Sequence, residues 1–264
     1  MEFLPDNAAD WHQFMIYASV VMCTGVFIAL FYFPAAYGRH KESAGYYYGP
    51  EIPTRLSWFL MEFPSCVIFA IIYFMGDWAL HPVPLLFLVM WQFHYFHRTF
   101  IFPFKIKVKP GDTTPIGIPI MAILTNLVIS FLNASILSWS AISQGYDLTW
   151  LYDPRFIIGV IVFISGYYIN KRADRMLADL RKPGESGYKI PRGWLYEKIT
   201  CPNYFGELVT WTGWAIATWS WAGAIFVLLT AANLVPRAIT NHKWYHEKFD
   251  DYPRDRKIII PYVL

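Results

Sequence analysis

The chain alternates long apolar runs with short polar loops. Seven runs stand out, at about 11–33, 56–76, 81–102, 116–138, 154–173, 206–221 and 222–240. A helix needs roughly 20 apolar residues to cross a bilayer, and these runs approach that length. The last two are fused, because 206–239 is too long for one crossing, and a break is expected near Ser220–Gly223. The pattern predicts an all-α membrane protein with seven transmembrane helices, forming a single integral-membrane domain over residues 1–264.

The loops predict an orientation. Arg39, Lys41 and Arg55 lie in the first loop, and Lys105, Lys107 and Lys109 in the third. The fifth loop carries a dense basic set from Lys171 to Lys198, and the tail carries Lys243, Lys248, Arg254, Arg256 and Lys257. The second loop, around Asp77, and the turn between spans six and seven carry no Lys or Arg, and the fourth has only Arg155. Positive charge gathers in cytoplasmic loops. The N-terminus is therefore expected outside (lumenal) and the C-terminus in the cytoplasm.

Composition agrees with this reading. The chain is 56% hydrophobic and 16% charged, against about 25% charged in a soluble domain. The net charge of +3 is small and its basic residues are clustered, so nucleic acid is not an expected partner. Cys23, Cys66 and Cys201 are far apart, form no metal-type spacing and read as packing residues. The acidic N-terminal MEFLPDNAAD lacks the basic segment of a signal peptide.

Polar groups inside the spans narrow the picture. Glu62 is the only charge between Leu56 and Gly76. An ionisable group at such depth is expensive and marks a functional site by default. It lies about six residues, or roughly 9–10 Å, from the cytoplasmic end of span two. Tyr95 lies at nearly the same depth in span three, within HYFHRTF, where His94 and Arg98 share a face. Three further groups have helical spacing at cytoplasmic ends: Asn170, Asp174 and Arg181; Asn203, Glu207 and Trp211; Arg237, Asn241 and Tyr245. Five spans thus direct polar residues towards one cytoplasm-facing cavity.

Each group also has a plainer reading. Glu62 could simply pair with Arg98. Tyr95 could be packing, and His94, His97 and Arg98 could snorkel to the membrane edge. Asn126, Asn133 and Asn233 read as interhelical hydrogen-bond glue. Agreement in depth favours function. A tyrosine hydroxyl beside a carboxylic acid can hydrogen-bond a carbonyl oxygen and stabilise enolate charge. That suits reduction of an enone, with an anionic cofactor at the basic rim. There is no G-x-G-x-x-G, no G-x-x-x-x-G-K-[ST], no H-E-x-x-H and no His/Cys cluster, so neither a Rossmann or P-loop site nor a metal is expected. The residues alone lead to a membrane-embedded site for a lipophilic carbonyl and an anionic cofactor.

Five strings resemble the steroid 5α-reductase (3-oxo-5α-steroid 4-dehydrogenase) family. They are WFLMEFPS at 58–65, HYFHRTF at 94–100, INKRADRMLADLRKPGESGYKIPRG at 169–193, NYFGELVTW at 203–211 and RAITNHKWYHEKFDDYPRDRKIIIP at 237–261. The resemblance implies an NADPH-dependent oxidoreductase that reduces the Δ4 double bond of a 3-oxo steroid by hydride transfer to C5. It implies that Glu62 and Tyr95 bind the 3-keto oxygen. Asn170, Asp174, Arg181, Tyr188, Asn203, Glu207, Arg237, Asn241 and Tyr245 would line the NADPH site, within a C-terminal part of about 110–264. Trp58, His94, Arg98 and Lys109 would lie near it, with Tyr37 and Arg39 on the adenine side. Family members commonly carry Gln where this chain has Met61, and a His run where it has Thr240, Asn241 and His242. The expected partners are a lipophilic steroid and the lipid bilayer, without nucleic acid or metal, and the expected state is a monomer. The expected location is the endoplasmic reticulum membrane in a eukaryote or the cytoplasmic membrane in a bacterium. Related alternatives are a reductase of another enone, enoyl or polyprenol substrate, and a seven-span receptor or transporter without a cofactor.

Overall fold

A computed structural model describes residues 7–32, 48–106, 108, 111–180 and 187–264. Among them, long helices occupy each of the seven apolar segments. These are α1 (Ala8–Tyr32), α2 (Thr54–Phe74), α3 (Pro82–Phe96, continued by a π-turn His97–Ile101 and a last turn Phe102–Lys105), α4 (Gly117–Ser138), α5 (Pro154–Asp179), α6 (Pro202–Thr218) and α7 (Trp221–Lys248). Helices α1, α2, α4, α5 and α7 are long and apolar enough to cross a membrane. The break between α6 and α7 falls at Trp219, in the left-handed region at φ 46°, and the Ser220 hydroxyl caps α7 by accepting from Gly223 N at 3.0 Å. Predicted spans five and seven stop at 173 and 240, but their helices continue to Asp179 and Lys248, past the apolar residues.

One feature departs from an all-helical expectation. Glu51–Pro53 (β1) pairs antiparallel with Thr113–Pro115 (β2), with Ile52 opposite Thr114. The pairing ties the entry of α2 to the entry of α4.

Proline shapes α2. Pro64 has no N–H to donate, and the helix widens there into a π-turn over Pro64–Ile68. Carbonyls around the π-turn take side-chain donors from neighbouring helices. Asn126 Nδ2 reaches Met61 O at 2.7 Å, Trp91 Nε1 reaches Ser65 O at 2.6 Å and Gln92 Nε2 reaches Cys66 O at 2.8 Å. These bonds hold α2 against α3 and α4. Asn133 also bridges helices, donating to Ala222 O at 3.3 Å and accepting from Trp214 Nε1 at 2.8 Å. Asn233 is exposed and makes no such bridge among the described residues.

Helices α5 and α6 pack along their length through small residues. A Cβ added at Gly159 would meet Ala217, at Gly166 Thr210, at Gly206 Asn170 and at Gly213 Phe163, each at the facing backbone. Such contact lets van der Waals packing hold two helices where lipid offers no hydrophobic drive. An aromatic core adjoins this seam, where Phe163 meets Trp211 at 6.2 Å. Phe69 stacks on Trp91 at 4.2 Å, Trp91 meets Trp214 at 5.1 Å and Trp211 meets Phe226 at 4.2 Å.

The C-terminal tail folds back on the segment before α6. Thr200 N donates to Lys257 O at 2.8 Å and Cys201 N to Ile258 O at 3.1 Å. The segment before α6 and the tail are thus joined through their backbones.

The glycine seam makes a direct prediction. Gly166→Val or Gly213→Val pushes the two backbones apart, and overpacking of this kind costs about 1–3 kcal/mol or more. Thermal unfolding of the detergent-solubilised protein should show a lowered midpoint for both, while Gly25→Ala, with open space around its Cβ, should match wild type.

Candidate active site

Arg98 stands at the centre of the polar cluster. Its Nη2 donates to Glu62 Oε1 of α2 at 2.7 Å, and its Nη1 faces Glu207 Oε1 of α6 at 3.7 Å. Residues four apart on a helix share a face, so α3 presents His94 beside Arg98. His94 Nε2 lies 3.6 Å from Glu207 Oε2, and the ring is 2% exposed. The reading of His94 as a snorkelling residue is therefore wrong: it is enclosed among Tyr95, Tyr167 and Trp211. Arg98 is likewise turned inward, with its guanidinium over the rings of Trp58 at 5.6 Å and Phe102 at 5.0 Å.

Tyr95 is buried between Trp91 at 4.9 Å and Trp211 at 5.5 Å, its ring nearly parallel to Trp211. Among the described residues it shares no hydrogen bond with Glu62, whose Oε1 is taken by Arg98. The plainer reading of Glu62, an ion pair with Arg98, is what the geometry contains. The pair and the tyrosine nonetheless share one wall, because α3 supplies both Tyr95 and Arg98.

Helices α5 and α6 close the cluster. The glycine seam brings Asn170 against the start of α6, where its Nδ2 donates to Asn203 O at 3.0 Å. Asn203 Nδ2 donates in turn to Asp174 Oδ1 at 3.1 Å. Three buried atoms here have no hydrogen-bond partner among the described residues: Asn170 Oδ1, Glu207 Oε1 and Lys171 Nζ. Buried polar groups are otherwise nearly always paired. Lys171 was counted in sequence only as a loop charge. It instead lies within the helix, its ammonium 5.2 Å from the Tyr167 ring.

A second group lies at the far end of α7. Arg237 Nε donates to Tyr204 OH at 2.8 Å, and Asn241 Nδ2 to Cys201 Sγ at 3.8 Å. Tyr188 meets Trp244 edge-on at 4.8 Å, and Tyr245 stacks on Tyr252 at 5.1 Å. Burial raises the Tyr252 hydroxyl above its usual range. Cys201 and Asn203 are two residues apart, so one short stretch touches both groups. The expected positions Tyr37, Arg39, Lys109 and Arg181 lie outside the described residues. Lys171, Tyr204, Thr200 and Tyr252 were not anticipated. The spacing of Lys171 and Asp174, three apart on one helix, was the available signal for the first.

A mixed-charge cluster walled by aromatic rings inside apolar helices defines a membrane-type helical protein with a buried polar site. The family model described as 3-oxo-5-alpha-steroid 4-dehydrogenase matches residues 116–264. Steroid 5-alpha-reductase DET2 of Gossypium hirsutum is 40% identical over 92% of this chain and 93% of its own length. The Arabidopsis thaliana protein of the same name is 42% identical over 89% and 90%. The rat (Rattus norvegicus) 3-oxo-5-alpha-steroid 4-dehydrogenase 1 is 38% identical over 95% and 92%. The chain belongs to the steroid 5α-reductase family.

The ion pair can be tested without substrate. Arg98→Met strands Glu62 and Glu207, and breaking a buried pair costs about 3–5 kcal/mol. Adding Glu62→Gln removes one stranded charge, so the double variant should unfold at a higher temperature than Arg98→Met alone. Equal midpoints for the two would mean that Arg98 and Glu62 are not coupled.

Proposed function

We propose that this chain reduces the Δ4 double bond of a 3-oxo steroid, using NADPH, at the cluster around Glu62, Tyr95 and Arg98. The carrying observation is the Glu62–Arg98–Glu207 network, buried in an apolar bundle beside a buried tyrosine. NADPH, when bound, supplies the hydride for C5 of the enone. The chain's own groups hold and polarise the substrate. Tyr95 donates a hydrogen bond to the 3-keto oxygen and stabilises the negative charge that forms there. Glu62, fixed by Arg98, sits on the same wall and orients the oxygen end of the site. C4 takes its proton from solvent. The aromatic rings of Trp91 and Trp211 shape the floor and exclude bulk water.

The residues present fit an anionic dinucleotide. Among the described residues Asn170 Oδ1 accepts no hydrogen bond and suits a carboxamide, and the buried Lys171 ammonium donates none and suits a phosphate. Asp174, Asn203, Tyr188, Arg237, Asn241 and Tyr245 continue the same side towards the tail. Trp58, His94 and Arg98 border it, and Arg181, Lys109, Tyr37 and Arg39 complete the set by motif position. We read the cofactor-binding part as mainly about 110–264 of one integral-membrane domain, with the residues before 110 adding to its border.

We read the bundle as seven transmembrane helices, N-terminus outside and C-terminus cytoplasmic. The alternate placement of basic loops supports that orientation. The paired length of α5 and α6 supports α6 as a crossing segment. The protein acts as a monomer in the endoplasmic reticulum membrane of a eukaryote or the cytoplasmic membrane of a bacterium.

Membranes bearing the protein should consume NADPH when testosterone or progesterone is added and not before. Tyr95→Phe should lower kcat about 10²–10³-fold, the usual effect of removing one donor to a developing oxyanion. Glu62→Gln should also lower turnover while the protein remains folded by size-exclusion chromatography. Full activity in both variants would remove the site assignment. NADP(H) should co-purify with the protein and be detected by mass spectrometry, which a receptor or transporter does not predict.

A further inference from the structure

The end of α7 carries a side-chain cluster that the reductase site does not use. His242 and His246 are four apart on one helical face, and their Nε2 atoms are 3.2 Å apart. His242 is anchored from behind by Thr200. Three contacts converge on the Thr200 hydroxyl: Lys257 O at 3.2 Å, His242 Nδ1 at 2.6 Å and Tyr252 OH at 2.8 Å. A hydroxyl has one hydrogen to give and two lone pairs to offer. A carbonyl only accepts, so all three contacts are hydrogen bonds only if Thr200 donates to Lys257 O. Tyr252 and His242 Nδ1–H then donate to Thr200. That tautomer leaves His242 Nε2 with a free lone pair, directed at His246 Nε2.

The geometry points to a site for a zinc-class divalent cation, bridged by His242 Nε2 and His246 Nε2. Two nitrogens 3.2 Å apart, each at the usual Zn–N distance of about 2.0–2.1 Å, subtend roughly 100–105° at the metal, close to a tetrahedral angle. A ligating histidine typically donates its other ring N–H to an oxygen that fixes its tautomer, and Thr200 supplies that oxygen. His246 is exposed, so water can fill the remaining positions. Imidazole pairs favour Zn²⁺, Ni²⁺ and Cu²⁺ over the hard cations Mg²⁺ and Ca²⁺. A bound cation would brace Tyr252 through Thr200, and Tyr252 stacks on Tyr245 at 5.1 Å. The tail would be stiffened at the edge of the second polar group.

The test uses the full chain in detergent, stripped with a chelator, without steroid or cofactor, so its outcome is independent of the reductase reading. Zn²⁺ should bind by calorimetry with a stoichiometry of about one and raise the thermal midpoint to a plateau. His246→Ala, an exposed position, should keep the metal-free midpoint and lose both the binding and the rise. Absence of binding in wild type, equal binding in His246→Ala, or the same rise with Mg²⁺ would overturn the site and leave a hydrogen-bonded histidine pair.

Discussion

The structure depends on an arginine kept inside a bundle of apolar helices. Arg98 lies where hydration is scarce, and an unpaired charge there is costly. It is compensated from two directions, by Glu62 on α2 and Glu207 on α6. Neither acid comes from Arg98's own helix, so the charges are balanced only when three helices are assembled. The ionic group therefore does more than line a cavity. It selects one arrangement of α2, α3 and α6 from those that apolar packing alone would allow, since leucine-like surfaces are satisfied in many registers.

Around that centre, two kinds of backbone contact supply rigidity. On one side, the glycines of α5 and α6 let the chains touch, which delivers Asn170 to Asn203 and Asp174 to the same corner. On the other, the side chains of Trp91, Gln92 and Asn126 occupy carbonyls of α2 around its π-turn. The cluster is thus held through main-chain atoms, whose positions vary little with side-chain rotamers. Preorganised donors of this kind are what stabilisation of a developing oxyanion requires.

Much of this was legible in the residues. Apolar run lengths located every long helix, and the depth of Glu62 and Tyr95 brought α2 and α3 together. The ion pair was visible too, as the plainer reading of Glu62. What was hidden has physical causes. Lys171 sits at the end of an apolar run, where composition cannot separate a loop charge from a buried one. The break near Ser220 was expected from run length, but its left-handed residue is Trp219, a residue type that gives no turn signal. The pairing of Thr200 with Lys257 joins segments more than fifty residues apart, through backbone atoms that every residue shares.

The π-turn at Pro64 carries a further consequence, for phase. A regular helix advances 100° per residue, and a π-turn accommodates one extra residue within it. The two halves of α2 are therefore rotated against each other, like two lengths of a screw joined off-thread. The C-terminal half presents Phe69 and Tyr73 to the aromatic core, and the N-terminal half presents Met61 O to α4 and Glu62 to α3. With one residue fewer, the helix would be straighter and its hydrogen bonds more regular. Its carboxylate, however, would point about 100° away from the arginine that it meets.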